Sequence, residues 1–327
     1  MICSNNGRSQ FAGRIDAFIA HKKALGNRYN TEKGHMDRFD RFCAEFYSYE
    51  SVLTSEVVEA WTSLRPGEKP GTQAGRCTIM RQFAIFLAKS GEAAYVLPPV
   101  QGRPSQSFTP YIFTEDELRA IFDAADRITP GNISPCAHEV IPMILRLLYG
   151  CGLRASEACG IRRSDVDFNE GVLTIFNSKN RKDRLVPMSQ SLKERLHGYF
   201  NRIDAIRYGM EYAFPSPKSS FIQPVTVYER FREVLFQAGI PHRGREKGPC
   251  LHSLRHTFAV HSLRKMEADG VDLYCALPVL STYMGHENVY ATEYYLRLTA
   301  QVHPEVIDKV NDAYGNIVPD VDRGVIE

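Results

Sequence analysis

The chain has 327 residues, enough for about two domains of ordinary size. Forty Lys and Arg against 38 Asp and Glu leave a formal charge of +2, and 43% hydrophobic with 24% charged residues is ordinary globular usage, which excludes a disordered, collagen-like or coiled-coil chain. Eight scattered cysteines without a C-x-x-C pair read as reduced thiols, the polar N-terminus lacks a signal-peptide core, and the most apolar stretch (residues 140–153) is broken by Arg146 and Gly150, so the expectation is a cytoplasmic protein with no membrane partner.

Residues 11–25 place Phe11, Ile15, Phe18, Ile19 and Leu25 at helical spacing ahead of Gly26. A second helix is predicted over 31–46, with Met36, Phe39, Phe42, Cys43 and Phe46 on one stripe. Thr54 is an N-cap signal for a third, carrying Val57, Val58, Trp61 and Leu64. A fourth follows Thr72, carries Ile79, Met80, Phe83, Phe86 and Leu87, and ends at Gly91. Residues 1–97 thus read as a small helical domain whose aromatic stripes form its core. Residues 98–110 contain four prolines and no helical period, and read as a linker.

Thr114 and Glu117 have the spacing of a capping box that opens a second domain over 111–315. Helical signals run over 137–149 and 154–159, then two short strands, 171–176 and 184–188, flank a basic turn. Helices return at 191–206, 226–238, 252–268, 277–284 and 291–298. A last helix at 304–314 precedes a polar tail, 316–327. The expected fold class is mostly α with a small β-sheet: a helical N-terminal domain followed by an α+β domain.

Four segments concentrate phosphate-binding and proton-transfer side chains. In Gly152-Leu-Arg154-Ala-Ser-Glu157 the arginine stands at a helix start and Glu157, one turn on, can orient its guanidinium. The turn between the strands carries Lys179, Arg181, Lys182 and Arg184, cations suited to a DNA groove or backbone. In His252-Ser-Leu-Arg255-His256-Thr-Phe-Ala259, the histidine and arginine at i and i+3 share a helix face, joining a proton shuttle to a planar phosphate-binding fork. His252 and His256 at i and i+4 raise a zinc reading, but no H-E-x-x-H is present and no third ligand has a recognisable spacing. The fourth segment holds Gly285-His286, then Tyr294 and Tyr295.

The order of these segments resembles the tyrosine recombinase (phage integrase) family. Its catalytic domain carries G-L-R-x-S-E, a hairpin lysine before K-x-R-x-V-P, H-x-x-R-H-T-F-A, G-H, and a tyrosine nine residues later. This chain supplies each in turn, with Lys182-Asp-Arg184-Leu-Val-Pro187 as the strand motif. The hairpin reads Ser178-Lys179-Asn180 where the family commonly has G-K-G, which leaves Lys182 as a second candidate for its lysine. Spacing from His286 favours Tyr295 over Tyr294 as the nucleophile.

The resemblance implies a helical core-binding domain at 1–97 and a catalytic domain at 111–315 that close on double-stranded DNA. It implies a homotetramer, or an assembly with related recombinases, on two DNA sites. The activity implied is site-specific cleavage and rejoining through a 3′-phosphotyrosine, with no cofactor and no metal. Arg154 and Arg255 would clamp the phosphodiester and His286 would donate a further hydrogen bond. His252 would take the phenol proton, and Lys179 would protonate the leaving 5′ oxygen. Arg181, Lys182, Arg184, Arg243, Arg245 and Lys247 are the expected DNA contacts, and Glu157 supports the clamp. Three rivals remain in view: a type IB topoisomerase-like enzyme that reseals without exchange, a DNA-binding protein that has lost catalysis, and a zinc hydrolase using His252, His256 and His286. Residues 301–327 hold 2 Lys and Arg against 6 Asp and Glu, so an acidic end masks two mildly basic domains.

Overall fold

Aromatic stripes at helical spacing need a shared interior, and the first four helices provide one. α1 (Ala12–Ala24), α2 (Asn30–Phe46), α3 (Ser55–Thr62) and α4 (Pro70–Lys89) enclose Phe11, Phe18, Phe39, Trp61 and Phe83 in one core. The structure, a computed structural model, describes residues 8–99 and 109–295, apart from 28, 132–133, 177–182, 207–208, 218, 242–243, 245–247, 287, 291 and 294. The chain divides into two compact units, Met1–Ser107 and Phe108–Glu327.

In the first unit α3 starts where Thr54 accepts a hydrogen bond from the Val57 amide at 3.4 Å. α4 starts ahead of Thr72 because Pro70 takes the first helical position, where its missing N–H costs nothing. Leu25, Phe46 and Leu64, expected on apolar stripes, stand exposed at or just beyond helix ends. Two buried charges are tied to backbone. Asp40 accepts from the Ser9 amide at 3.0 Å and its hydroxyl at 2.6 Å. Arg76 donates to the carbonyls of Trp61 and Ser63 and pairs with Glu68.

The second unit begins with α5 (Glu115–Asp126), whose capping box is complete: the Thr114 amide donates to Glu117 at 2.9 Å and the Glu117 amide to Thr114 at 3.1 Å. α6 (Ala137–Gly150) is apolar on nearly every side, from Val140 to Leu148, and is therefore the central helix. α5 packs on it, as do α8 (Gln190–Ile206) and α10 (Leu251–Ala268). α9 (Pro224–Gln237) completes this layer. Between α6 and α8 come the short α7 (Ala155–Cys159) and an antiparallel sheet of β1 (Val166–Asp167), β2 (Val172–Ile175) and β3 (Arg184–Pro187), in that order. The register sets Leu173 opposite Val186 and Ile175 opposite Arg184. Leu173, Ile175 and Val186 are buried, so Arg184 starts β3 on the inward face.

α11 (Leu273–Met284) begins four residues before the expected position. Its N-cap is Asp272, which accepts from the Tyr274 amide at 2.7 Å. Pro278, which falls in the first turn of the helix expected at 277–284, lies within the longer helix. A second core joins Val260 and Leu263 of α10, Leu277 and Leu280 of α11, and Tyr295. Of the helix expected at 291–298, Thr292, Glu293 and Tyr295 are described and helical. The helix expected at 304–314 and the tail lie outside the described residues, as does most of the expected linker. Among the described residues no helix is long and apolar enough to cross a membrane.

One buried hydroxyl ties the entry of this unit to α10. Thr257 donates to the Ser253 carbonyl at 2.8 Å and accepts from the Phe113 amide at 3.0 Å. Thr257→Val keeps the shape and strands the buried Phe113 N–H. It should cost about 1–3 kcal/mol, read as a lower midpoint in urea unfolding of the whole chain.

Candidate active site

The end of α11 organises the site. Three consecutive carbonyls there each accept from a different arginine. Tyr283 accepts from Arg184 Nε at 2.9 Å, Met284 from Arg255 at 2.8 Å, and Gly285 from Arg154 at 2.8 Å. A helix C-terminus presents carbonyls without intrahelical partners and carries partial negative charge, so it attracts cations. Gly285 makes the arrangement possible. Its φ is +69°, and a Cβ there would stand 2.9 Å from Arg184 Nη1.

Each arginine arrives from a different segment. Arg154 is the N-cap of α7. Its amide donates to Glu157 at 2.9 Å and its guanidinium to the same carboxylate at 2.8 Å. Arg255 comes from α10, is 1% exposed, and also donates to the Gly152 carbonyl. Gly152 has φ +57°, and a Cβ there would overlap the Phe258 ring. Arg184 comes from β3 and meets Glu157 through two bonds, at 3.1 and 2.8 Å.

Glu157 therefore takes four hydrogen bonds. Burial alone would raise its carboxyl, but Arg184 and Arg154 bring it down to about 2. Arg184 was expected to contact DNA. Its side chain is 8% exposed and its guanidinium is spent on Glu157 and the Tyr283 carbonyl, so it is an internal strut. Three guanidiniums against one carboxylate leave Arg154 and Arg255 in excess.

Four rings line up beside these cations. His252 meets His256 edge-on with centroids 4.6 Å apart, and His256 meets Tyr295 at 5.6 Å. The Tyr295 ring stacks on His286 at 6.2 Å and 19°. His286 Nδ1 is 2.7 Å from the hydroxyl of the buried Thr292. The Tyr295 hydroxyl is 2.8 Å from His256 Nδ1, and Tyr295 is 3% exposed. His256, not His252, is thus the histidine hydrogen-bonded to the phenol. From the sequence alone His256 is considered only as a zinc ligand. A signal was available, since position 256 lies one helical turn beyond His252 and next to Arg255. Among the described residues no group of three His, Cys, Asp or Glu is placed to hold a metal ion.

Lys179, Arg181, Lys182, Arg243, Arg245, Lys247 and the alternative nucleophile Tyr294 lie outside the described residues.

All three histidines are held below their ordinary pKa. His256 falls to about 3 through burial, then the charges of His252, Arg255 and His286. His286 falls to about 4 through burial, then Arg255 and Arg154. His252 has an exposed side chain, yet desolvation by the surrounding protein, then Arg255 and Arg154, lower it too, to about 4. The unfolded chain therefore binds protons below pH ~6.5 that the folded chain refuses. Stability should be complete above that pH and fall steadily toward pH ~4. The Glu157 contribution persists through that window and fades only between pH ~4.5 and ~2. Urea midpoints from pH 7 to 4.5 should show the loss, and His256→Asn should make the slope shallower.

Comparison with known proteins agrees with this geometry. Residues 112–302, more than half of the chain, match the profile of the phage integrase family. A protein of Sinorhizobium fredii (strain NBRC 101917 / NGR234), named "Putative integrase/recombinase y4rE", is 30% identical over 88% of this chain and 92% of its own length. The tyrosine recombinase XerC of Chlorobaculum tepidum is 30% identical over 78% of this chain and 75% of its own. In fold, the chain is similar to the XerH site-specific recombinase in a post-cleavage complex with its palindromic difH substrate. That match has a TM-score of 0.62 at 16% identity and covers 88% of this chain and 79% of that one. This chain belongs to the phage integrase family and is a tyrosine-type site-specific recombinase.

Proposed function

We propose that this recombinase cuts and rejoins double-stranded DNA through a 3′-phosphotyrosine on Tyr295, with Arg154 and Arg255 as the phosphate clamp. The observation that carries this reading is the pair of guanidiniums in charge excess, fixed on adjacent carbonyls beside a buried tyrosine. Negative charge gathers on the non-bridging oxygens of a phosphodiester during displacement, and donors already in place stabilise it without reorganisation. Burial, then Arg154, lowers Arg255 to about 10, so it stays charged at neutral pH. His286, oriented by Thr292, and His252, exposed three residues before Arg255, can add hydrogen bonds to the same anion.

The phenol gives its proton to a histidine base, His252 by the family resemblance, as its oxygen attacks phosphorus; the bond to the 5′ oxygen breaks, and Lys179 gives that oxygen a proton. Lys182 is the second candidate for this role. A 5′-hydroxyl from a partner duplex then gives its proton back to Lys179 and attacks the phosphotyrosine, and the phenol leaves with the proton returned by His252, which rejoins the strands. Bond energy is conserved, so these steps call for no nucleotide cofactor. Two duplexes exchanged in this way fit a tetramer of protomers on two sites. The N-terminal helical unit serves as a second DNA-binding body. XerH is a site-specific recombinase bound to its palindromic difH substrate, and the relatives above carry recombinase or integrase names, which favours exchange over topoisomerase-like resealing.

Covalent capture tests this reading. A nicked random-sequence duplex library incubated with the protein should yield an adduct stable on a denaturing gel, and the trapped DNA defines the site. Tyr295→Phe should abolish the adduct and Tyr294→Phe should retain it. Arg154→Ala and Arg255→Ala should each slow adduct formation by about 10²–10³-fold, the usual cost of losing one anion-hole donor. Two differently labelled duplexes carrying the selected site should exchange strands; relaxation of a supercoiled plasmid without exchange would mark a topoisomerase.

A further inference from the structure

We propose that His256 positions the nucleophile, accepting the hydrogen of the Tyr295 hydroxyl through Nδ1 so that the phenol oxygen keeps one orientation toward the clamp. The inference rests on Tyr295 being the attacking residue. It concerns a histidine distinct from His252, the one expected to act on the phenol.

The geometry is direct. The two atoms are 2.8 Å apart, and Tyr295 is 3% exposed. A buried phenol oxygen needs a partner, and His256 supplies one. His256 follows Arg255 on α10, and Arg255 is fixed at both ends of its guanidinium by the Gly152 and Met284 carbonyls. One rigid helix thus carries a member of the clamp and the group that holds the nucleophile, although Tyr295 lies 39 residues further along the chain.

The tyrosine ring also stacks on His286, at 19° between planes, and His286 is tied to Thr292. His286 limits the plane of the ring and His256 limits the direction of its hydroxyl. A neutral imidazole can accept this hydrogen, whereas a protonated one can only donate. The low pKa of His256 keeps the ring neutral at physiological pH. Orientation of this kind matters because a misplacement of about 1 Å in a reacting group can cost on the order of 10²-fold in rate.

The test uses the whole chain and the nicked duplex obtained by covalent capture. His256→Phe keeps a ring of similar size and removes the acceptor. His256→Asn offers an amide oxygen near the place of Nδ1. Gel-shift affinity should stay within about two-fold for both variants. First-turnover adduct formation should fall about 10²-fold in His256→Phe and recover to within about ten-fold of the native rate in His256→Asn. Cleavage by His256→Phe within about three-fold of native would overturn the proposal, as would equal losses in the two variants.

A measurement on otherwise native protein covers the case of a variant that fails to fold. In protein labelled with ¹⁵N-histidine, Tyr295→Phe should move the His256 Nδ1 resonance, and an unmoved resonance would overturn the hydrogen bond. Failure of the underlying reading looks different: Tyr295→Phe would still form the covalent adduct, whatever His256 does.

Discussion

Everything in this active site depends on three successive carbonyls at the end of α11. Tyr283, Met284 and Gly285 each take one guanidinium, from β3, α10 and the start of α7 respectively. Like charges do not gather unaided. Here the negative end of a helix and its unpartnered carbonyls offset the repulsion, and Gly285 turns the backbone at a φ of +69° to leave room for Arg184. The motif G-L-R-x-S-E, the strand arginine, H-x-x-R and G-H are therefore one structure seen from four places in the chain.

The charge count decides what the site can do. Glu157 answers Arg184 and braces Arg154, and no second carboxylate shares their hydrogen bonds among the described residues. Arg154 and Arg255 remain in excess; after burial, Arg255 helps hold His252, His256 and His286 neutral, and Arg154 helps at His252 and His286. Burying a cation such as Arg255 is costly unless hydrogen bonds and an opposing charge compensate it. The Gly152 and Met284 carbonyls supply the bonds. The remaining charge is left for an anionic substrate, which links the stability of the site to its chemistry. Preorganised cations of this kind lower the barrier to phosphoryl transfer, because they need not move as charge develops.

Much of this was legible in the sequence, and the misses have physical reasons. The capping signals at Thr54 and Thr114 marked helix starts because side-chain acceptors satisfy amides there in a pattern that needs no tertiary context. The start of α11 was hidden because Pro278 favours a first-turn position and the tertiary fold places it deeper. β1 is two residues long, too short for alternation to register. Arg184 read as a groove contact because it sits in a run of cations. In the structure Arg184 and the buried Val186 share one face of β3 while Leu185 is 66% exposed, but with apolar Leu185 and Val186 adjacent in sequence, alternation alone does not say which face turns inward. His256 was overshadowed by its neighbours in the H-x-x-R motif, since its partner Tyr295 is distant in sequence. Lys179, Arg181 and Lys182 of the hairpin, and Arg243, Arg245 and Lys247, lie outside the described residues.

The central claim is that α11 gathers three arginines and leaves two of them, Arg154 and Arg255, to hold a phosphodiester in front of Tyr295. A crystal structure of the whole chain with the captured nicked duplex tests it most directly. The account predicts the scissile phosphate within hydrogen-bond distance of Arg154 and Arg255, facing the Tyr295 oxygen, with Arg184 still paired to Glu157. A phosphate bound by Arg184, or one seated away from Arg154 and Arg255, would contradict it.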